Sequence, residues 1–229
     1  MGRGISPYEL AYSGVDFLAA QEIYEESLEI ILAGLRGGRL THHGRHYTYR
    51  GVPMELAPVQ TPHPPLWQGV VRPDGAAAAA RRGVNIVSTL GSTAIKPLVE
   101  RYFEAWSAPA GAPPPFVGLQ RSVLVADTDA EALRLGRSAY QRWYESLTHL
   151  WRQFNTVPMR FAETLDRAIE IDTAVVGSPA TVRAEVERHL AVSGANYFVG
   201  RFVYGNMSFE AALRSIELFA HEVMPHFAR

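Results

Sequence analysis

The sequence has no cysteine. That excludes disulfide scaffolds, thiolate metal sites, iron–sulfur clusters and cysteine nucleophiles. It has one lysine, Lys96, and carries the rest of its basic charge on arginine, which reflects genomic base composition. Lys and Arg total 22 against 23 Asp and Glu, for a formal net charge of −1. A nucleic-acid binder needs a basic face to neutralise phosphates, so that partner is not expected. No apolar run approaches the ~20 residues that span a bilayer. Met1-Gly2-Arg3-Gly4 lacks the apolar core of a signal peptide. We therefore expect a soluble, cytoplasmic protein with no membrane partner. Metalloprotease, nucleophile-elbow and P-loop motifs are also missing. What remains is a chain of 229 residues, 47% hydrophobic, long enough for a sizeable core and too apolar for disorder.

The periodicity divides the chain. Phe17, Ala20, Tyr24, Leu28, Ile31 and Leu35 make one apolar stripe, predicting a helix over Val15 to Leu35 that Gly37-Gly38 ends. Leu40–His43 and His46–Tyr49 read as a hairpin around Gly44-Arg45, and Pro53, Pro58, Pro62, Pro64 and Pro65 as an extended stretch. Then strands and helices alternate. Strands are expected at Pro65–Val71, Val84–Leu90, Phe116–Ala126, Ala174–Val176 and Asn196–Tyr204. Helices are expected at Pro73–Arg82, Thr93–Trp106, from the Thr128–Glu131 capping box to Arg152, from Ser178-Pro179 to Val192, and at the end of the chain until Pro225. Ala108–Pro115 reads as a loop, and Phe154–Ile171 as partly helical. Such alternation predicts an α/β fold with a parallel sheet. The strands from Pro65, Val84, Phe116 and Asn196 should be parallel neighbours in that order, with helices outside.

Few residues point to chemistry. Gly2-Arg3-Gly4 is either a disordered tail or an anion grip of backbone amides and one guanidinium. Arg72-Pro73-Asp74-Gly75 lies where a strand meets a helix. Arginine is a poor N-cap, so the first amides take either water or an anion such as phosphate. His42, His43 and His46 read as surface hairpin residues, because adjacent histidines on a strand point apart; no metal site is expected. Glu22, Glu25, Glu26 and Glu29 read as a solvated helix face. Trp67, Phe198, Phe202 and Tyr204 read as core, although Trp67, near a strand end, could also wall a flat cofactor.

The chain resembles the bacterial-luciferase-like, flavin-dependent monooxygenase family. The resemblance lies in Gly2-Arg3-Gly4-Ile5-Ser6-Pro7-Tyr8-Glu9 before a long helix, His43-Gly44-Arg45-His46-Tyr47, Pro53 through Pro65-Leu66-Trp67, and the ending from Gly205-Asn206-Met207-Ser208 to Glu222-Val223-Met224-Pro225. It implies a TIM-barrel-like fold that is incomplete, with a hairpin and proline-rich insertion over 35–65 of a single domain, 1–229. In the family, the Gly-Arg-Gly turn follows the fourth barrel strand, so the chain reads as the back part of a barrel with an open sheet edge. Dimerisation, as a homodimer, or aggregation is expected to cover that edge.

The resemblance also implies reduced FMN, or in one branch the deazaflavin F420, as cofactor. It implies dioxygen and a small organic molecule as substrates, and allows a flavin reductase as a partner. Arg3 and the backbone at Ile5 match the family's phosphate grip. Val71, Arg72 and Gly75 match its second phosphate loop, with Arg72 and Gly75 standing where serine or threonine is common. Trp67 becomes a candidate substrate contact. No catalytic residue is assigned. Three functions follow as expectations: an FMN-dependent monooxygenase, a non-catalytic remnant or partner-binding subunit, and an F420-dependent oxidoreductase.

Overall fold

The computed structural model describes residues 1–4, 6–61, 63–107, 114–154 and 161–227. Ile5, Pro62 and most of the loop expected at Ala108–Pro115 lie outside them. The chain forms two compact units, Met1–Trp67 and Gln68–Arg229.

The first unit begins with helix α1, Pro7–Tyr12, which the periodicity did not predict. Ser6 caps it by accepting from the Glu9 N–H, and Pro7 suits the first turn. Helix α2 runs over Ala20–Leu35, starting later than its apolar stripe suggests. Strands β1, Gly38–His43, and β2, Thr48–Met54, pair antiparallel with a bulge between Leu40 and His42. The hairpin is thus longer than expected and takes in Pro53.

Glu22 and Glu26 correct the solvated-face reading. The Glu26 carboxylate accepts from the amides of His46 and Tyr47 and lies 3.1 Å from His42 Nε2. Glu22 pairs with Arg45 at 2.9 Å and lies 3.3 Å from His46 Nε2. Burial works against the Glu26 charge, but the two amides and His42 outweigh it and hold the carboxyl below its usual range. Carboxylates four residues apart share a helix face, and here that face holds the hairpin tip.

The second unit is built on β3, Trp67–Gly69, which starts on the last residue of the first unit; β4, Asn85–Ser88; β5, Val117–Val125; β6, Ala174–Gly177; and β7, Tyr197–Arg201. β4, β6 and β7 each pair parallel with β5, and β3 neighbours β4. The order β3-β4-β5-β7 is the expected one. β4 and β6 share one edge of β5, which binds β4 through its first half and β6 through its second. On the other edge β7 ends early. There the Val125 N–H donates to Ser215 Oγ at 2.8 Å instead.

Helices follow the strands: α3, Pro73–Arg81; α4, Ser92–Ala105; α5, Asp129–Leu147; α6, His149–Gln153; α7, Leu165–Glu170; α8, Pro179–Ser193; and α9, Phe209–Leu218. The capping box is realised, with the Glu131 N–H donating to Thr128 Oγ1 at 3.2 Å. Helices cover both faces of the sheet's second half, where only outer helices were expected. Val123, Val125 and Val175 pack on α8 and α9. Leu124, Ala174 and Val176, on the alternate face, pack on α5 and α7. Among the described residues no helix is long and apolar enough to cross a membrane.

The fully buried Tyr102 of α4 donates its hydroxyl to the Val84 carbonyl at 3.0 Å, fixing the start of β4. Tyr102→Phe should cost about 1 kcal/mol, the net worth of one such bond plus an unmet carbonyl. Urea unfolding checks this; a shift in midpoint at constant slope is expected.

Candidate functional site

The second unit holds a cavity of about 410 Å3, lined by Thr89, Gln120, Ser122, Tyr140, Trp143, Phe161, Ala162, Ile171, Thr173 and Arg201. Strand alternation explains part of the lining. Gln120 and Ser122 lie two apart on β5, and Ser122 stands opposite Arg201 on β7. Arg201 is the last residue of β7. Carboxyl ends of parallel strands are where such sheets place their sites.

Helix α5 supplies the aromatic wall. The Tyr140 and Trp143 rings are 5.0 Å apart, and Trp143 meets Phe161 edge to face at 5.9 Å. Tyr140 donates its hydroxyl to the Ala162 carbonyl at 2.9 Å, and burial pushes its pKa up to about 12. The Arg201 guanidinium carbon lies 4.1 Å from the Trp143 ring centre and 5.4 Å from that of Tyr204. Its Nη2 donates to Ser122 Oγ at 2.5 Å. Burial lowers the Arg201 pKa and raises that of Tyr204. Arg201 Nε and Tyr204 Oη are buried without a hydrogen-bond partner among the described residues. Among the described residues the cavity lining has no carboxylate and no histidine.

The phosphate-loop candidates sit at a different point of this unit. Val71 and Arg72 are exposed, and Gly75 is half-buried. Arg72 is the N-cap of α3, with extended backbone, φ −138° and ψ 145°, and no side-chain cap bond. The first intrahelical bond runs from the Ala76 N–H to the Arg72 carbonyl. Pro73 has no N–H, so those of Asp74 and Gly75 are left for an outside acceptor. Two free amides beside an exposed guanidinium suit a phosphate, although Asp74 adds a carboxylate to the same turn.

Arg3 and Trp67 belong to the first unit. The half-buried Arg3 lies 5.5 Å from the Phe17 ring centre and lines a groove of about 360 Å3 with Leu10, Val15 and Ile23. The carbonyl of the half-buried Trp67 accepts from the N-terminal ammonium at 2.6 Å. The structure brings Val71, Arg72 and Gly75 together on one turn. Sequence reasoning missed the Arg201 cavity. Its signal was an arginine in the otherwise apolar strand from Tyr197 to Tyr204, and a tryptophan on the facing helix.

A sheet of parallel strands with crossover helices and a cavity at its carboxyl end has the architecture of a TIM-barrel-type fold. Residues 1–197 match the luciferase-like monooxygenases, and the chain belongs to that family. It is 34% identical over 227 residues to the uncharacterized protein y4wF of Sinorhizobium fredii (strain NBRC 101917 / NGR234), covering 98% of this chain and 66% of that one. The chain thus spans just under two thirds of that relative's length. The fold matches the monooxygenase RslO1 from Streptomyces bottropensis with a TM-score of 0.84 at 24% identity, over 99% of this chain and 68% of that one. It also matches the oxygenating constituent of 3,6-diketocamphane monooxygenase from Pseudomonas putida, a type II Baeyer–Villiger monooxygenase in complex with FMN. There the TM-score is 0.74 at 23% identity, over 98% of this chain and 70% of that one.

Proposed function

We propose that the protein is a flavin-dependent monooxygenase that takes reduced FMN and dioxygen and acts on a small organic substrate in the Arg201 cavity. The observation that carries the cofactor assignment is the uncapped start of α3 beside Arg72. The N–H groups of Asp74 and Gly75 and the Arg72 guanidinium hold the flavin phosphate, with charge supplied by the guanidinium and direction by the amides. Val71 sets the approach to the turn. On the family resemblance alone, Arg3 and Ile5 are further cofactor residues and Trp67 a substrate contact, apart from the residues that line the Arg201 cavity.

The bound flavin supplies the redox chemistry. The chain then has to bind, orient and keep water away, and the lining suits that role. Trp143, Tyr140 and Phe161 give an apolar wall, and the lining described above offers no general base. A homodimer and a separate flavin reductase belong to the same proposal.

Fluorescence titration with FMN, and with riboflavin as the phosphate-free control, tests the cofactor reading. FMN should bind at least tenfold more tightly than riboflavin. Arg72→Ala should weaken FMN by about ten- to hundredfold, the range for a lost hydrogen bond to a charged group, and leave riboflavin unchanged. Arg3→Ala is titrated in the same way. Equal binding of FMN and riboflavin, or no effect of Arg72→Ala, contradicts the phosphate turn. Binding of F420 with none of FMN replaces the cofactor.

A further inference from the structure

Two arginines interrupt the apolar strands of the second unit, and they are satisfied very differently. Arg121 of β5 is fully buried. Its Nε donates to His189 Nδ1 at 3.2 Å, Nη1 to the carbonyls of Leu90 and Gln120 at 3.0 and 2.8 Å, and Nη2 to Ser92 Oγ at 3.4 Å. Its work is internal. Arg201 makes one hydrogen bond, to Ser122, and has no carboxylate within ion-pair distance among the described residues. Arg201 is half-buried with its Nε fully enclosed; an arginine keeps its charge in such a place, and a charge partly withdrawn from water without a counter-charge is costly.

The Trp143 face compensates part of that cost and also fixes orientation. Stacking occupies the flat face of a guanidinium and leaves its in-plane donors free. Those donors border a cavity whose other polar lining, among the described residues, is neutral: Thr89, Gln120, Ser122 and Thr173. At about 410 Å3 the space suits a substrate of one or two rings.

We propose that the cavity selects a flat organic acid, with its carboxylate on Arg201 and its ring system against Trp143, Tyr140 and Phe161. Naming that occupant as the substrate rests on the flavin-dependent reading above. The anion site itself does not. A carboxylate supplies the missing counter-charge and meets two donors in one plane. Gln120 and Ser122 are on the same sheet face to take its remaining lone pairs.

The probe is 2-naphthoate, with 2-naphthamide as its neutral counterpart, titrated by calorimetry into the full chain with and without FMN. The naphthoate should bind at least tenfold more tightly than the amide. Arg201→Gln should abolish that preference, weakening naphthoate by about ten- to hundredfold and changing naphthamide less than twofold. Arg201→Lys should restore part of it. FMN should leave naphthoate affinity unchanged. Equal affinity of the two probes for the unaltered protein overturns the proposal without any variant. Displacement of naphthoate by FMN also overturns it, because the guanidinium then serves the flavin's own pyrimidine edge. Naphthoate selectivity in a protein that fails to bind FMN would keep the anion site and remove the flavin reading, so the two fail separately.

Discussion

Gly205→Ala is expected to destabilise the second unit by about 3–5 kcal/mol, a large share of the ~5–15 kcal/mol that holds a domain together. Gly205 follows β7 with φ +63°, and a Cβ there would fall on the backbone of Ala139 in α5. Helix backbone cannot move aside as a side-chain tip can. The cost is therefore a steric one added to the left-handed backbone penalty of about 1 kcal/mol. Gly83→Ala separates the two. Gly83 has φ +67° but nothing within 4 Å of its Cβ position, so it should cost only the backbone part. Urea unfolding followed by tryptophan fluorescence compares them. Equal costs would mean that the approach of Gly205 to α5 contributes nothing.

The second large effect lies in the Arg121 network. Arg121→Met keeps the length and removes every donor, leaving two carbonyls, Ser92 and His189 without it. The expected loss is about 3–5 kcal/mol, as for other broken buried charge networks. The same network predicts an acid limb. Burial, reinforced by repulsion from Arg121 and Arg188, lowers the His189 pKa to about 4 against attraction from Asp172 and Glu185. The folded value lies below the unfolded one of about 6.5. Between the two, the unfolded chain holds a proton that the folded chain does not. The stabilisation is thus complete above about pH 6.5 and is lost as pH falls toward about 4. From pH 7 to pH 5 the expected loss is about 2 kcal/mol at ~1.36 kcal/mol per pKa unit. His189→Asn should flatten that limb. An unchanged slope in the variant would assign the acid sensitivity elsewhere.

Local signals carried most of the fold. Thr128 with Glu131, Pro179 after Ser178, and the apolar runs around Val117 and Tyr197 are each readable within one turn or one strand, and each element formed where they stand. Short or tertiary features were less legible. Helix α1 is too brief to show a stripe, and its signal is only Ser6-Pro7. Glu22 and Glu26 look like any polar helix face until the hairpin folds onto them.

The site divides in the same way. Arg72 before Pro73 is a poor cap at a strand-to-helix junction, and that can be read from chemistry alone. Arg121 and Arg201 are indistinguishable as arginines in apolar strands. Their partners come from residues as far away as His189 and Trp143, so only the folded chain separates the satisfied one from the one facing a cavity.

The most direct measurement is a crystal structure of the protein grown with FMN. A phosphate is expected at the start of α3, accepting from the Asp74 and Gly75 amides with the Arg72 guanidinium alongside. FMN bound with its phosphate away from that turn, and Arg72 left in solvent, would contradict it.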